Sequence, residues 1–561
     1  MDTKTAFLKS VSDYPWSQTR PDGSIICYKH GVEHTGTNAY SMVLDGELYK
    51  KTGEEVYYER ALKRALRTLI QLRKAPASSS WYFYPGNMDS QNCSNNIIDC
   101  GSAVDSLASF YLQFTDRLKK AETERLRDAI YKVSDTYLKG AILTKHFPNQ
   151  FLWGATGLAS AYRLFGEKSW KEALLECLEL FFKNQNQDGS IPYYPEAEKY
   201  GTHVGDTDIS PYYHSRHMTF ALHVLDALGL KKWESELLRG VDFLVGITHP
   251  DGIKEMRFEA KRWYWESDYE VASNPFDIPC LVWAHERTGD DLYLRYASLS
   301  MNQLLRHQLA DGGITSHLGP QKNYQCRIFW NGRIAWVARN IDKIPLEPPG
   351  LEKPYLQLFE DSGVVKFENR DYCVMIRGRK KPMNISFGGS VGGGTVAYLG
   401  TKEGGWQNKV RVPEWRAATH AFTESRGLKP ARNARLFLRE NGVDARRRLY
   451  KSLVELRAGN LLFSLAYPLR HVLLKSLDEL FDTYSTQWDL DSSPRLSGNR
   501  ASFEATLSKR DGQKSKEVVE LTYEFHEDGF DIEVSPTELA ERFKEPFKMV
   551  SEGKVRFKTG S

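Results

Sequence analysis

A chain of 561 residues, 41% hydrophobic and 26% charged, can bury sizeable cores and exceeds one ordinary domain. A formal net charge of +4 over that length argues against a nucleic-acid binder, and runs such as Arg446, Arg447 and Arg448 read as solvated basic faces. No segment approaches a membrane-spanning run, and "MDTKTAFLKSVSDYPW" lacks the apolar stretch of a signal peptide. The expectation is therefore a chain soluble as given, with no membrane partner. Its location stays open, cytoplasmic or, if a leader was removed, periplasmic or secreted.

From residue 38 to 342 apolar residues recur with a period near 3.6, over 38–52, 54–73, 98–114, 120–139, 150–165, 167–184, 214–229, 232–247, 276–289, 291–308 and 328–341. These segments come in pairs. Asp-Gly recurs after long helices, at Asp188-Gly189, Asp251-Gly252 and Asp311-Gly312, with Asp22-Gly23 ahead of the first. Each pair is followed by a short extended piece ("SIICY", "SIPYY", "IKEMRF", "ITSH") and then by the next helix. One helical hairpin cannot bury its apolar face alone, so a repeat of about sixty residues predicts hairpins that stack and close. The expected fold is an (α/α) toroid of five to six hairpins over residues 1–345, its inner helices entered from one end of the ring.

The loops leading into those helices are rich in aromatics flanked by amides and carboxylates: "SSSWYFYPGNMDSQN" (78–92), "IPYYPEAEKY" (191–200), "KRWYWESDYE" (261–270) and "NYQCRIFW" (323–330). Flat rings beside polar groups suit a sugar, which has apolar C–H faces and a hydroxyl rim. Packing filler is the alternative, and Trp153, Trp263, Trp265 and Trp330 read equally as core or as sugar platforms.

Prolines crowd "DKIPLEPPGLEKP" (342–354), after which short alternating runs such as "GVVKFE", "YCVMIRG", "TVAYLGT" and "FDIEV" predict strands. "EFHEDGFDIEV" reads as a hairpin across Asp528-Gly529. We assign residues 346–561 to an antiparallel β-sandwich-like domain, its strands falling within roughly 350–540, which makes the fold class α+β and multidomain. "SFGGSVGGGTVAYLG" (386–400) has no following Gly-Lys-Ser/Thr, so it is a loop or bulge and not a phosphate cradle. The seven cysteines are scattered, without a CxxC pair or a Cys/His ladder, and neither a metal nor a cofactor is expected.

The richest stretch is "DISPYYHSRH" (208–217). If Tyr213 opens an inner helix, Arg216 and His217 lie at i+3 and i+4 on its face. A helix N-terminus and a nearby guanidinium both favour phenolate, so such a tyrosine can take a proton from carbon or return one to a leaving oxygen. In a uronic acid the proton at C5 becomes acidic once the neighbouring carboxylate is neutralised, and β-elimination then breaks the glycosidic bond without water. Asn149 and Gln150, at another inner-helix start, could neutralise it, although N-capping is an equally ordinary role for Asn149. His203 and His214 are further candidates.

"DGS" at 188–190 followed by "SPYYH" at 210–214 resembles the heparinase II/III-like polysaccharide lyases, which carry a Ser-Pro-x-Tyr-His helix start. "PNQFLWG" at 148–154 is similar to that family's Asn-Asn-His helix start. The resemblance implies an (α/α) toroid joined to a C-terminal β-sandwich and an acidic, uronate-containing glycan as substrate. It also implies Tyr213 as acid and candidate base, Asn149 as neutraliser and His214 as neighbour or partner. Two positions depart from the family: Gln150 stands where a His is usual, and "SFGGSVGGG" lacks the His-x-His-x-x-Asp-like pattern. A second base must then come from His203, His217, Tyr194 or His317.

The expected catalytic set is Tyr213, His214, Asn149 and His203. The expected substrate contacts are Gln150, Trp153, Tyr194, Arg216, His217, Trp265, Arg327 and Trp330, while Asn331 and Arg333 are as easily paired or solvated. The rival class, a toroid glycoside hydrolase, needs two facing carboxylates, and Asp99, Asp206, Asp208, Glu266, Asp268 and Asp277 are available without a spacing that selects a pair. A non-catalytic glycan-binding protein is the third reading.

Overall fold

The computed structural model describes residues 2–26, 33, 35–75, 78–84, 96–201, 204–260, 271–315, 331–382, 390–410, 421, 423–425, 482–510, 512–543 and 545–559. Helix α1 (Thr3–Ser17) precedes five hairpins: α2 (Thr35–Thr52) with α3 (Glu55–Ile70), α4 (Asn96–Phe114) with α5 (Lys120–Val133), then, after the short α6 (Lys139–Thr144), α7 (Pro148–Phe165) with α8 (Lys168–Lys183), α9 (Pro211–Leu228) with α10 (Glu234–Gly246), and α11 (Asn274–Thr288) with α12 (Asp291–Arg306). A four-residue helix, α13 (Ala335–Ala338), follows, and β1 (Leu72–Lys74) pairs with β2 (Trp81–Phe83) between the first two hairpins. Among the described residues no helix is long and apolar enough to cross a membrane.

The chain packs as two compact units: Met1–Gln185, Tyr213–Val241 and Glu270–Pro349 form the first, and Asn186–Tyr212, Asp242–Tyr269 and Gly350–Ser561 the second. In the first unit the leading helix of each hairpin is buried almost all round, whereas α3, α5, α8 and α12 bury one stripe. That is the burial of inner and outer helices in a ring. The inner helices run the same way, because their early residues meet early residues and later meet later. Gly36 N–H donates to Asp99 Oδ1 (2.7 Å), Ser215 Oγ to Ser273 O (3.3 Å) and Ser160 Oγ to Asp105 Oδ1 (2.6 Å), while Ser160 Oγ also lies 2.8 Å from His223 Nε2. Small residues let α4 and α7 approach closely: a Cβ on Gly101 would stand 2.3 Å from Trp153 O, and one on Gly157 2.6 Å from Gly101 O.

The ring's centre is filled by aromatics. Trp153 packs on Phe220 (centroids 5.0 Å apart), Trp336 on Phe220 (5.4 Å) and on Tyr40 (5.9 Å), and Phe276 on Phe220 (5.4 Å). The ends of the helical stretch meet as well, since Asn331 Nδ2 donates to Val11 O and to Gly312 O, both at 2.9 Å. These contacts close an (α/α) toroid.

All four Asp-Gly turns share one geometry. Gly23, Gly189, Gly252 and Gly312 have φ of 84°, 87°, 88° and 84°, a left-handed conformation that costs glycine little. In each, the Asp Oδ1 accepts the N–H two residues on, from Ser24 (3.0 Å), Ser190 (3.0 Å), Ile253 (3.1 Å) and Gly313 (2.9 Å). The repeat legible in sequence is thus a repeat of backbone structure.

In the second unit β3 (Tyr355–Phe359), β4 (Val364–Glu368), β5 (Tyr372–Arg377) and β6 (Thr395–Thr401) form an antiparallel sheet in that order. A second antiparallel sheet joins β7 (Thr423–Ser425), β8 (Thr483–Ser485), β9 (Arg495–Ser497), β10 (Arg500–Ser508), β11 (Lys514–Phe525), β12 (Gly529–Ser535), β13 (Lys548–Ser551) and β14 (Lys554–Lys558). It continues to Lys558, beyond the expected limit near 540, because "KVRFK" alternates and pairs with β12. The two sheets face each other across aromatics. Phe367 stacks on Phe525 (4.9 Å, 8°), Tyr372 Oη donates to Gly529 O (2.6 Å) and Tyr523 Oη to Gly394 O (2.6 Å). The glycines expected as a loop serve close packing: a Cβ on Gly393 would lie 1.8 Å from Thr486 O.

Candidate functional site

Each inner helix presents its first turn, whose N–H groups have no carbonyl partner within the helix, and the positive end of its dipole at the same end of the ring. Helix α9 brings "YYHSRH" there. Tyr213 is half-buried, whereas Tyr212, His214, Arg216 and His217 are buried. His214 Nε2 donates to Gly240 O on α10 (2.6 Å), so that imidazole is directed at the outer helix. Arg216 lies with its guanidinium carbon 5.3 Å from the Tyr213 ring centroid and 5.2 Å from that of Phe276, and Nη2 reaches Ala272 O at 3.4 Å. His217 stacks at 6.5 Å and 21° on Tyr213 and edge-on against Phe181 of α8 at 6.0 Å. Neither ring nitrogen of His217 has a hydrogen-bond partner among the described residues. Burial, helped by the charges of His214 and Arg216, holds its pKa well below the usual imidazole value, so it is neutral at pH 7.

Helix α7 brings Asn149 and Gln150. Phe147, not Asn149, is the N-cap, so the capping role considered for Asn149 is not the one it has. Asn149 is 8% exposed, and its carboxamide makes no hydrogen bond among the described residues; Gln150 is half-buried. Partners on α7 and α9 lie 63 to 67 residues apart along the chain (Ser160 with His223, Trp153 with Phe220), which brings Asn149 level with residues 212–216. The amide and the phenol therefore share one layer of the ring.

Trp153 is 3% exposed. Its Nε1 donates to Tyr40 Oη and Ser102 Oγ, both 2.9 Å away, and the Arg333 guanidinium covers its ring at 4.3 Å. It belongs to the aromatic centre. Asn331 is occupied in closing the ring. Asp99 accepts from Gly36 N–H, and Asp277 Oδ2 accepts from Ser300 Oγ at 2.9 Å. His203, Trp263, Trp265, Glu266, Asp268, His317, Arg327 and Trp330 lie outside the described residues, with most of the aromatic loops at 78–92, 261–270 and 323–330.

In the second unit Tyr194 is buried, stacks on Tyr200 (6.1 Å, 7°) and has its phenol pKa raised, chiefly by burial. Asp206 is buried too. Asp208 is paired with Arg377, and its Oδ2 also accepts from Ser390 Oγ (2.5 Å) and Lys381 N–H (3.1 Å). A group that sequence reading passed over is Glu259, fully buried, whose Oε2 accepts from Ser210 Oγ (2.9 Å) and from Tyr212 N–H (3.1 Å). Nothing in the sequence marks it, because the partners are 47 residues or more apart. Among the described cysteines, Cys100, Cys177, Cys280 and Cys373 are free and buried.

No protein-family model matches the chain, and no curated protein matches it in sequence. Solved structures do. The chondroitin AC lyase of Streptomyces coelicolor A3, in complex with chondroitin sulphate, is 12% identical with a TM-score of 0.50, over 95% of this chain and 66% of the lyase. The cellobiose 2-epimerase of Bacillus thermoamylovorans B4167 is 11% identical with a TM-score of 0.44, over 61% of this chain and 100% of the epimerase. The unsaturated glucuronyl hydrolase of Bacillus sp. GL1 is 13% identical with a TM-score of 0.43, over 61% of this chain and 96% of the hydrolase. The likeness to the chondroitin lyase is one of fold: a helical toroid followed by antiparallel sheets.

Proposed function

We propose that this chain is a polysaccharide lyase that cleaves a uronate-containing acidic glycan by β-elimination. The carrying observation is the layer of the toroid that holds Tyr213 and Asn149: a half-exposed phenol beside the Arg216 guanidinium, level with a nearly buried carboxamide that has no partner among the described residues. Arg216 favours the phenolate, which takes the proton from C5 of the uronate. Asn149 donates to the uronate carboxylate and stabilises the charge that develops on it. The C4–O bond breaks as the C4–C5 double bond forms, and the proton on Tyr213 passes to the departing oxygen. His203, ten residues before Tyr213, is the second base the sequence offers. The fold shared with a chondroitin lyase supports a glycan-active toroid.

The product carries a double bond conjugated with its carboxylate, so a panel of uronate polymers followed at about 235 nm tests the reading. The wild type should generate that absorbance. Tyr213→Phe should lower its rate about 1,000-fold or more with the unfolding midpoint unchanged, since only a hydroxyl is lost. Asn149→Ala should lower kcat more than it raises KM. New reducing ends without the chromophore would indicate a hydrolase, neither product would indicate a binding protein, and wild-type turnover by Tyr213→Phe would remove the tyrosine from its role.

A further inference from the structure

The first turn of α9 is held by a residue distant along the chain. Ser210 directly precedes the helix, where a serine ordinarily accepts a backbone N–H with its hydroxyl. Ser210 Oγ donates to Glu259 Oε2, and the same oxygen takes Tyr212 N–H. Because Pro211 has no N–H, that bond satisfies the first donor of the helix. Ala260 N–H donates to Ile209 O at 2.9 Å, so three bonds, at Ile209, Ser210 and Tyr212, lace this stretch to residues 259–260. Asp208, one residue earlier, is fixed by Arg377, Ser390 and Lys381. All these groups belong to the second compact unit, and Tyr213 is the next residue of the helix.

A side chain in a first turn is aimed by the backbone of that turn, and helix ends fray unless their donors are held. We infer that Glu259 is a positioning residue for Tyr213: its carboxylate holds the turn from which the phenol projects. The inference rests on Tyr213 being the acid–base group proposed above. Glu259 itself touches neither substrate nor reacting atoms in this scheme. Its hold on the turn is one of geometry, so a neutral acceptor of the same length should largely replace it.

The test compares Glu259→Ala with Glu259→Gln, assayed well below their unfolding midpoints. In Glu259→Ala, kcat should fall about tenfold or more while KM stays within about twofold. In Glu259→Gln, whose carboxamide oxygen can still accept Tyr212 N–H, most of kcat should return. A readout independent of activity is the fluorine signal of Tyr213 in protein labelled with 3-fluorotyrosine, assigned by its disappearance in Tyr213→Phe. That signal should shift or broaden in Glu259→Ala and stay near its place in Glu259→Gln. An unmoved Tyr213 signal in folded Glu259→Ala, or unchanged kcat, overturns the inference. If Glu259→Ala does not fold, Ser210→Ala takes its place, with a smaller shift expected and an unmoved signal again overturning it. If no polymer yields the chromophore, the lyase reading falls while the fluorine signal still decides the role of Glu259.

Discussion

The two units bury charge for different reasons. The first is built from regular helices, whose backbone groups satisfy one another, and its centre is aromatic: Trp153, Trp336, Phe220, Phe276 and Tyr40. Its buried Arg333 guanidinium rests on ring faces, 4.3 Å from Trp153 and 4.9 Å from Tyr40. The second unit holds two irregular stretches, 186–212 and 242–269, together with its sheets, and irregular backbone carries carbonyls that need partners. Buried cations from the strands meet that need. Lys366 on β4 donates to Val245 O (3.0 Å) and Thr248 O (2.6 Å), where α10 ends, and is paired with Glu368 at 3.0 Å. Arg377 on β5 donates to Phe258 O (2.9 Å), Ser362 O (3.2 Å) and Arg379 O (3.1 Å) and is paired with Asp208. In the second unit buried charge thus meets irregular backbone, and the segment it fixes is the one that leads into Tyr213; in the first, the buried Arg64–Asp45 pair (2.8 Å) instead joins two regular helices, α3 and α2.

The largest effect that could break this comparison is expected at Arg377. Arg377→Met keeps the volume but removes the cation paired with the buried Asp208 carboxylate and the donor to three carbonyls, and removing one partner of a buried pair costs about 3–5 kcal/mol. Urea unfolding of the variant should show a loss of that order. A loss under about 1 kcal/mol would mean that the pair behaves like a surface one and that the irregular stretches are held by something else.

Which of these features could be read from the chain alone follows from distance along it. All but one of the expected helical segments match the observed ones closely, because a period of 3.6 over fifteen residues is a local signal; the exception is 328–341, where the described residues hold short helical pieces such as α13 and not one long helix. The Asp-Gly turns were legible for the same reason: carboxylate, glycine and the donating N–H all lie within a few residues. Tyr213 and Asn149 stood out through short motifs at helix starts. Glu259 and the Asp208–Arg377 pair did not, since their bonds span 47 and 169 residues. Nor does periodicity tell an aromatic on the ring's axis from one on a groove, which is why Trp153 reads equally as core or sugar platform from sequence and stands in the core. The contacts that demand glycine at 392 and 393, with Asp489 O and Thr486 O, are again distant in sequence.

The helical unit should show its own dependence on pH. His223 donates or accepts beside Ser160 Oγ, 2.8 Å away, and burial lowers its pKa to about 4, against the opposing pull of Asp105. Its folded pKa is depressed below the ordinary 6.5, so the stability it confers is complete above 6.5 and is lost as pH falls from 6.5 towards 4. The full effect is about 3 kcal/mol. Measured by urea unfolding, the difference between pH 7 and pH 4.5 should shrink by about 2 kcal/mol in His223→Gln. If the variant keeps the wild-type difference, the acid sensitivity of the ring lies elsewhere and its centre is less dry than its aromatic lining implies.

The smallest effect sharpens the comparison, because it uses a device both units share. Asp22 and Asp188 occupy the same place in two copies of one turn, each accepting the backbone and hydroxyl of the serine two residues on. Asp188 does more: its Oδ2 accepts Ser362 N–H at 2.8 Å, tying the turn to the strands of the second unit. The Asp22 turn has a partly exposed ion pair with Arg67 instead, at 3.2 Å, which water and salt weaken. Asp22→Ala should therefore cost about 1 kcal/mol, the net value of an ordinary hydrogen bond, and Asp188→Ala about 2 kcal/mol, because it also leaves a half-buried N–H without an acceptor. Equal costs, read from paired urea curves, would show that the bond to Ser362 adds nothing and that the turn is held by its own geometry in both units.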